Sequence, residues 1–282
     1  MRLIRNPATF ARTMQALRRR GRTIGFIPTM GALHAGHASL IRAARRANDV
    51  VAVSIFVNRL QFGPREDYAR YPRTLAADLR LIRAAGGAVV FAPETRQMYP
   101  LGFASRVSVE RLGRRWEGAS RPGHFTGVAT VVAKLLSLAQ PTAAYFGQKD
   151  YQQCLIVQRM VRDLDLPTAI RMLPTIREPD GLAMSSRNRY LSREERVQAG
   201  VLFRSLRLAR AMIRGGERRA DRIQAAMRRL IEEAPAARVD YIGLTDAQTL
   251  EPLARLRGQV AIVLAVRIGT TRLIDNALVR VG

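Results

Sequence analysis

Cysteine is almost missing from this 282-residue chain: Cys154 stands alone, so no internal disulfide framework is possible. No apolar run approaches the ~20 residues of a membrane span. The opening Met-Arg-Leu-Ile-Arg-Asn-Pro lacks the apolar core of a secretory signal. These absences predict a soluble, cytoplasmic protein with no membrane partner. Aromatic residues make up only 6%, and none of the RNA-binding aromatic patterns is present. Acidic residues are few, 22 against 47 basic ones, for a formal charge of +25. Such a balance admits a nucleic-acid-binding module. The arginines, however, are spread along nearly every helical stretch and are not gathered in a tail, so no nucleic-acid partner is expected. Lysine is scarce too: of the 47 basic residues, Lys134 and Lys149 are lysine and the other 45 are arginine. Lys149 could mark a place that needs a compact ammonium in place of a planar guanidinium, although two lysines also fit chance.

With 48% hydrophobic residues the chain can fill a large core and two domains. Short apolar runs alternate with helical stretches, which predicts an α/β fold with a parallel sheet. The chain is organised around Phe26-Ile-Pro-Thr-Met-Gly-Ala-Leu-His-Ala-Gly-His37. An apolar strand at 23–28 ends in Pro28, a turn containing Gly31 follows, and the 3.6 periodicity predicts a helix over 39–47. A helix N-terminus presents unpaired N–H groups and the positive end of the dipole, which suits phosphate. Gly31 and Gly36 let the backbone approach a ligand, and His34 and His37 would place two imidazoles beside one anion. The same spacing fits an ordinary βα turn with two surface histidines. Zinc has less support, because no cysteine or second ligand cluster lies nearby.

Further along, a basic amphipathic helix is predicted over about 8–20. The β-branched run 50–57 reads as a strand buried on both faces. The loop after it carries Asn58 and Gln61, which could hydrogen-bond a polar substrate at a strand C-terminus. Helices are predicted over 73–85, 125–138 and 151–162, with strands at 88–92, 143–146 and 168–173. Residues 93–124 are loop-rich. Small hydroxyl residues and a cation in 180–188 suit a clamp on a triphosphate, or simply a helix cap. From Ser192 the pattern changes to a long helix to about Arg214, opened by a Ser192/Glu195 capping box. A second helix follows over 219–233, then strands at 239–244, 259–266 and 271–275. This predicts a smaller C-terminal α+β domain over 177–282, after a first domain over 1–176.

Pro-Thr-Met-Gly-Ala-Leu-His-Ala-Gly-His (28–37), Ser-Ile-Phe-Val-Asn-x-x-Gln-Phe (54–62), Tyr-Pro-Arg-Thr (71–74), Glu-Gly-x-x-Arg-Pro-x-His-Phe (117–125), Phe-Gly-x-Lys-Asp-Tyr-Gln-Gln (146–153) and Asp-Gly-Leu-Ala-Met-Ser-Ser-Arg-Asn (180–188) follow one another in the chain. Together they resemble the pantoate–β-alanine ligase family, and Thr271 to Asn276 continues the likeness more loosely. The resemblance implies a Rossmann-type parallel sheet with helices on both faces and a C-terminal lid domain. It implies a homodimer that uses ATP with Mg²⁺ on its phosphates to join (R)-pantoate and β-alanine through a pantoyl adenylate. By that likeness Met30, Gly31, Ala32, Leu33, His34, Ala35, Gly36 and His37 hold ATP, with His37 at the catalytic acid position. Gly147, Gln148, Lys149 and Asp150 form the nucleotide turn, with Lys149 on the phosphates. Ile176 offers backbone to adenine, and Met184, Ser185, Ser186 and Arg187 match a mobile phosphate loop. Gln61 and Gln153 match the pair that grips pantoate, with Asn58 and Arg121 beside them. No side-chain metal ligands are implied, and Cys154 is expected to be a bystander. Gln148 replaces a usual glutamate, and Arg59 a usual proline, which is expected to loosen the loop that carries Gln61.

Overall fold

The computed structural model describes residues 1–64 and 66–282. Among the described residues nine strands form two sheets. The first holds β1 (Arg2–Ile4), β2 (Ile24–Thr29), β3 (Val50–Ile55), β4 (Val89–Phe91), β5 (Ala143–Gly147) and β6 (Ala169–Leu173), paired in parallel in the order β1-β4-β3-β2-β5-β6. The second is antiparallel, β7 (Ala237–Asp246), β8 (Gly258–Ile268) and β9 (Thr271–Val281). The chain separates into two compact units. One comprises 1–114, 121–148 and 153–174; the other comprises 115–120, 149–152 and 175–282.

In the first unit successive strand residues alternate between two cores. Ile24, Phe26, Ala52, Val89, Phe91, Ala144 and Phe146 pack with helices Pro7–Arg19, His124–Ala139 and Tyr151–Asp163. Their neighbours Ile27, Val51, Val53, Val90, Ala143 and Tyr145 pack with helices Ala35–Ala47 and Leu75–Ala85. This two-sided burial is why strands such as β3 are apolar but for the buried Ser54 and do not alternate with polar residues. It also bears out the predicted Rossmann-type sheet with helices on both faces. The strand order reverses between β2 and β5, and ligands of open parallel sheets bind outside the carboxyl ends of strands at such a point. The turn after β2 begins at Met30, and β5 ends on Gly147.

In the second unit helices Val201–Arg214 and Ala220–Glu232 share a core with β7, β8 and β9. The stretch 115–120 is tied to this unit by buried polar contacts. Arg272 Nη1 donates to both Glu117 carboxylate oxygens at 2.7 Å, and Trp116 Nε1 donates to the Leu250 carbonyl at 2.9 Å. Burial, with Glu117 beside it, pushes the Tyr241 phenol far up, so it remains a donor to Glu117 at 3.3 Å.

Several local expectations are corrected. Strand β1 carries no signal in the sequence; it is three residues long with Ile4 alone buried, too short for a period to show. The helix expected at 39 begins at Ala35, because His34 caps it. The helix expected to run from Ser192 to Arg214 divides into Arg193–Gln198 and Val201–Arg214, where Gly200 N–H and Leu202 N–H form tight three-residue turns back to Val197 and Ala199. The Ser192/Glu195 capping box is present, with bonds of 2.8 and 3.2 Å. Strand β9, expected to end at Asp275, continues to Val281.

Candidate active site

The turn after β2 is held from both sides. Thr29 Oγ1 donates to the Ser54 carbonyl at 2.6 Å and accepts from Gly31 N–H at 3.2 Å. Gly31 and Ala32 follow with φ of 85° and 51°. Only glycine takes the first of these freely, and the second costs strain unless its surroundings enforce it. Asp78 enforces it. Its carboxylate, 2% exposed, accepts from Ala32 N–H at 3.1 Å, Leu33 N–H at 2.9 Å and Thr74 Oγ1 at 3.1 Å. Asp78 is absent from the residues expected at the site, because an aspartate inside an amphipathic helix reads as a solvated residue.

The turn delivers the two histidines to the start of helix Ala35–Ala47. His34 is the N-cap, and its Nδ1 accepts from Gly36 N–H at 3.2 Å. His37 stands in the first turn, and its Nδ1 accepts from His34 N–H at 3.3 Å. The ring centroids are 4.2 Å apart. Since each Nδ1 accepts a backbone proton, each ring carries its own proton on Nε2. The result is two N–H donors beside the positive end of a 13-residue helix, an arrangement suited to an anion.

A second corner lies on the loop after β3. Asn58 is 1% exposed, and its polar atoms are bonded to protein. Its Nδ2 donates to Gln61 Oε1 at 2.9 Å and to the Gly127 carbonyl at 3.0 Å. Its Oδ1 accepts from the Tyr99 hydroxyl at 2.7 Å and from Leu60 N–H at 3.3 Å. Burial pushes the Tyr99 phenol far up and keeps it a donor. Asn58 thus orients Gln61, whose Nε2 lies 3.2 Å from Met30 Sδ. The opening turn therefore meets Gln61, one member of the expected pantoate pair, through Met30. Residues Arg59–Gln61 form one 3₁₀ turn, capped by Asn58.

Arg121 is engaged by protein. Its Nε and Nη2 donate to the two Glu66 oxygens at 2.7 and 2.6 Å, and Nη2 also reaches the Gln61 carbonyl at 3.2 Å. His124, which is not among the expected site residues, donates through Nδ1 to the same carbonyl at 2.8 Å. Its membership of the Glu117-to-Phe125 motif is the available signal.

Burial alone would raise the Glu66 carboxyl, but hydrogen bonds and charge from Arg121 outweigh it and hold the group below its ordinary value. A carboxyl lowered by folding stabilises the native state at neutral pH and loses that effect as pH falls through its folded value. The Tm gap between the parent protein and Glu66→Gln should therefore be full at pH 7 and close below about pH 4. A gap that does not change with pH would show that the ion pair carries no net stability.

In the second unit Lys149 opens the stretch 149–152. Its carbonyl accepts from Asn276 Nδ2 at 2.9 Å, and its ammonium lies 3.4 Å from Asp150 Oδ1. Tyr151 and Gln152 fasten the stretch further, to the Ala247 and Arg115 carbonyls at 2.7 and 2.8 Å. The Ile176 carbonyl accepts from Met184 N–H at 3.0 Å. Ser185 caps the 3₁₀ helix Ser186–Tyr190, its Oγ accepting from Arg187 N–H at 3.2 Å. Gln153 lies in the first turn of helix Tyr151–Asp163, and Gln148 follows the end of β5. Among the described residues no three histidine, cysteine, aspartate or glutamate side chains gather to hold a metal. Cys154 is buried, its Sγ 3.4 Å from the Gly147 carbonyl.

The family model for pantoate–β-alanine ligase matches residues 2–278. The chain belongs to the pantoate–β-alanine ligase family. It is 53% identical to the pantothenate synthetase of Moorella thermoacetica over 282 residues, which is 100% of both chains. It superposes on the crystal structure of the Thermus thermophilus pantothenate synthetase with a TM-score of 0.93 at 49% identity, covering 98% of this chain and 99% of that one. A pantoate–β-alanine ligase from Francisella tularensis, complexed with beta-gamma ATP and β-alanine, matches with a TM-score of 0.82 at 36% identity over 99% and 97% of the two chains. This chain is a ligase of that family, and its reaction is the formation of pantothenate from pantoate and β-alanine. No described helix is long and apolar enough to cross a membrane.

Proposed function

We propose that the chain condenses (R)-pantoate with β-alanine at the expense of ATP, through a pantoyl adenylate, in the cytoplasm and as a homodimer. A carboxylate does not acylate an amine by itself. Attack of the pantoate carboxylate on the α-phosphorus of ATP makes a mixed anhydride and expels pyrophosphate. The β-alanine amine then attacks the acyl carbon, forming the amide and releasing AMP. No covalent bond to the enzyme is needed.

Charge gathers on phosphate oxygens in the first step, so catalysis is chiefly positioning and electrostatic stabilisation. Met30 to His37 receive the phosphates, with His34 and His37 donating through Nε2–H. Gly147 to Asp150 form the nucleotide turn, with Gln148 as a neutral acceptor. Lys149 and the Met184-to-Arg187 segment hold the phosphates further along, and Ile176 offers its backbone to the base. Gln61 and Gln153 grip pantoate, with Asn58 and Arg121 holding Gln61 in place. Mg²⁺ enters on the ATP phosphates as part of the substrate and partly neutralises them. The C-terminal unit acts as a lid that keeps water from the adenylate.

The observation that carries this reading is the contact of Gln61 with Met30, which joins the anion-binding turn to the polar corner. The Francisella complex, with its nucleotide and β-alanine, supports it. The deciding assay is AMP release from MgATP with (R)-pantoate, with and without β-alanine. AMP and pantothenate in equal amounts, only with both substrates, is the expected result. A stable nucleotidyl product, or no AMP at all, would overturn it.

A further inference from the structure

The residues of the second unit that the proposed reading places on phosphate, Lys149 and Met184 to Arg187, hang from one pair of residues on β9. Asp275 and Asn276 are each 3% exposed and lie opposite Leu264 and Val263 of β8. Leu273 and Ala277, on either side, belong to the apolar core. Polar groups so deep destabilise the fold unless every one is paired. Here the pairing leads to the site. Asp275 takes Arg177 through Nη1 at 2.6 Å and Nη2 at 3.0 Å, and Asn276 N–H at 2.8 Å. Arg177 Nη1 also donates to the Gly181 carbonyl at 3.0 Å, and Arg177 bridges to Ala183. Asp275 therefore fixes the hairpin that leads into Met184–Arg187. Asn276 turns the other way, donating to the Lys149 carbonyl at 2.9 Å.

We infer that Asp275 and Asn276 are positioning residues that hold Lys149 and the 184–187 segment in one frame, so that both meet the nucleotide as a single body. The inference rests on the proposed phosphate role of Lys149. An ammonium on a four-carbon stem is placed no better than its own backbone. A misplacement of ~1 Å can cost about 10²-fold in rate. A hydrogen bond to the lysine's own carbonyl is the direct way to prevent that. Asp275 serves Asn276 by fixing its main chain, and serves the loop by fixing Arg177.

The test is a double-mutant cycle on the full chain, read as pantoate-dependent ATP–pyrophosphate exchange, with Tm measured in parallel. Asn276→Ala is expected to lower kcat about 10-fold or more and Tm by a few degrees, because the Lys149 carbonyl loses its partner, and to have no further effect on kcat in a Lys149→Ala background. Asn276→Leu keeps the branched shape but loses the donor without burying an unpaired carboxylate, and it should behave alike; it also serves if the alanine variant folds poorly. Arg177→Lys, which keeps the charge and loses the fork, should likewise be non-multiplicative with Arg187→Ala. Effects that multiply in both cycles would overturn the inference and leave the pair a purely structural one. A Lys149→Ala variant as fast as the parent would instead sink the phosphate role of Lys149, and the inference with it.

Discussion

His37→Ala is expected to lower kcat for pantoate-dependent AMP formation by about 10²–10³-fold, the cost of removing one preorganised donor from a charge-developing step. The ring is a donor because of its surroundings. Its Nδ1 is occupied by the His34 N–H at 3.3 Å, which leaves the proton on Nε2. Protonating Nδ1 as well would break that bond and place a cation at the positive end of the helix dipole. Activity should therefore not depend on an imidazolium. His37→Gln sharpens the test, because a glutamine amide reaches about as far as Nε2 whereas asparagine reaches only as far as Nδ1. Glutamine should recover part of the rate, and asparagine should not. The fold itself should survive, since a lost cap costs about 1 kcal/mol and helix Ala35–Ala47 also buries Leu40, Ile41 and Ala44. If His37→Ala stays within about threefold of the parent, the histidine pair is not the phosphate site, whatever the fate of the rest of the reading.

The parts of this site that are legible in the sequence are those whose signal is local. β3 shows itself because both its faces are buried, so all its residues but Ser54 are apolar. The opening stretch shows itself because a turn, two glycines and a helix start must follow one another in the chain. Asp78 shows no such signal: its partners Ala32 and Leu33 are 46 and 45 residues away, and only the folded sheet brings them together. Asn276 is hidden for a related reason. A polar pair in a strand looks like the strand's end, yet here its hydrogen bonds run to Arg177 and Lys149 and the strand continues. The packing of 115–120 and 149–152 with the second unit is equally invisible, because it depends on Glu117, Gln152 and Tyr151 finding partners far along the chain. Periodicity reports which face of an element is buried. It does not report which distant residue completes a hydrogen bond.

Gly127→Ala is expected to disable the corner proposed to bind pantoate without touching the histidines. A Cβ at Gly127 would stand 2.1 Å from the Leu60 carbonyl oxygen, 2.4 Å from its carbon and 2.6 Å from Gln61 N. All three are backbone atoms, so no side-chain rotation relieves the clash. Either helix His124–Ala139 or the Arg59–Gln61 turn has to move by ~1 Å. The helix is buried along most of its length, so the turn is the part that yields. It carries Gln61, and the same shift stretches the 3.0 Å bond from Asn58 to the Gly127 carbonyl. Overpacking of this kind costs about 1–3 kcal/mol of stability, and a displacement of ~1 Å in a positioning group costs on the order of 10²-fold in rate. The loss should fall on kcat/KM for pantoate, with KM for ATP changed far less. Gly113→Ala is the matched control: its Cβ would meet only Phe125 Cβ at 3.8 Å, an ordinary contact, and both constants should stay near the parent's. Equal losses for pantoate and ATP in Gly127→Ala would mean that the helix moved instead of the turn, and that Gln61 is not held by the close approach of these two backbones.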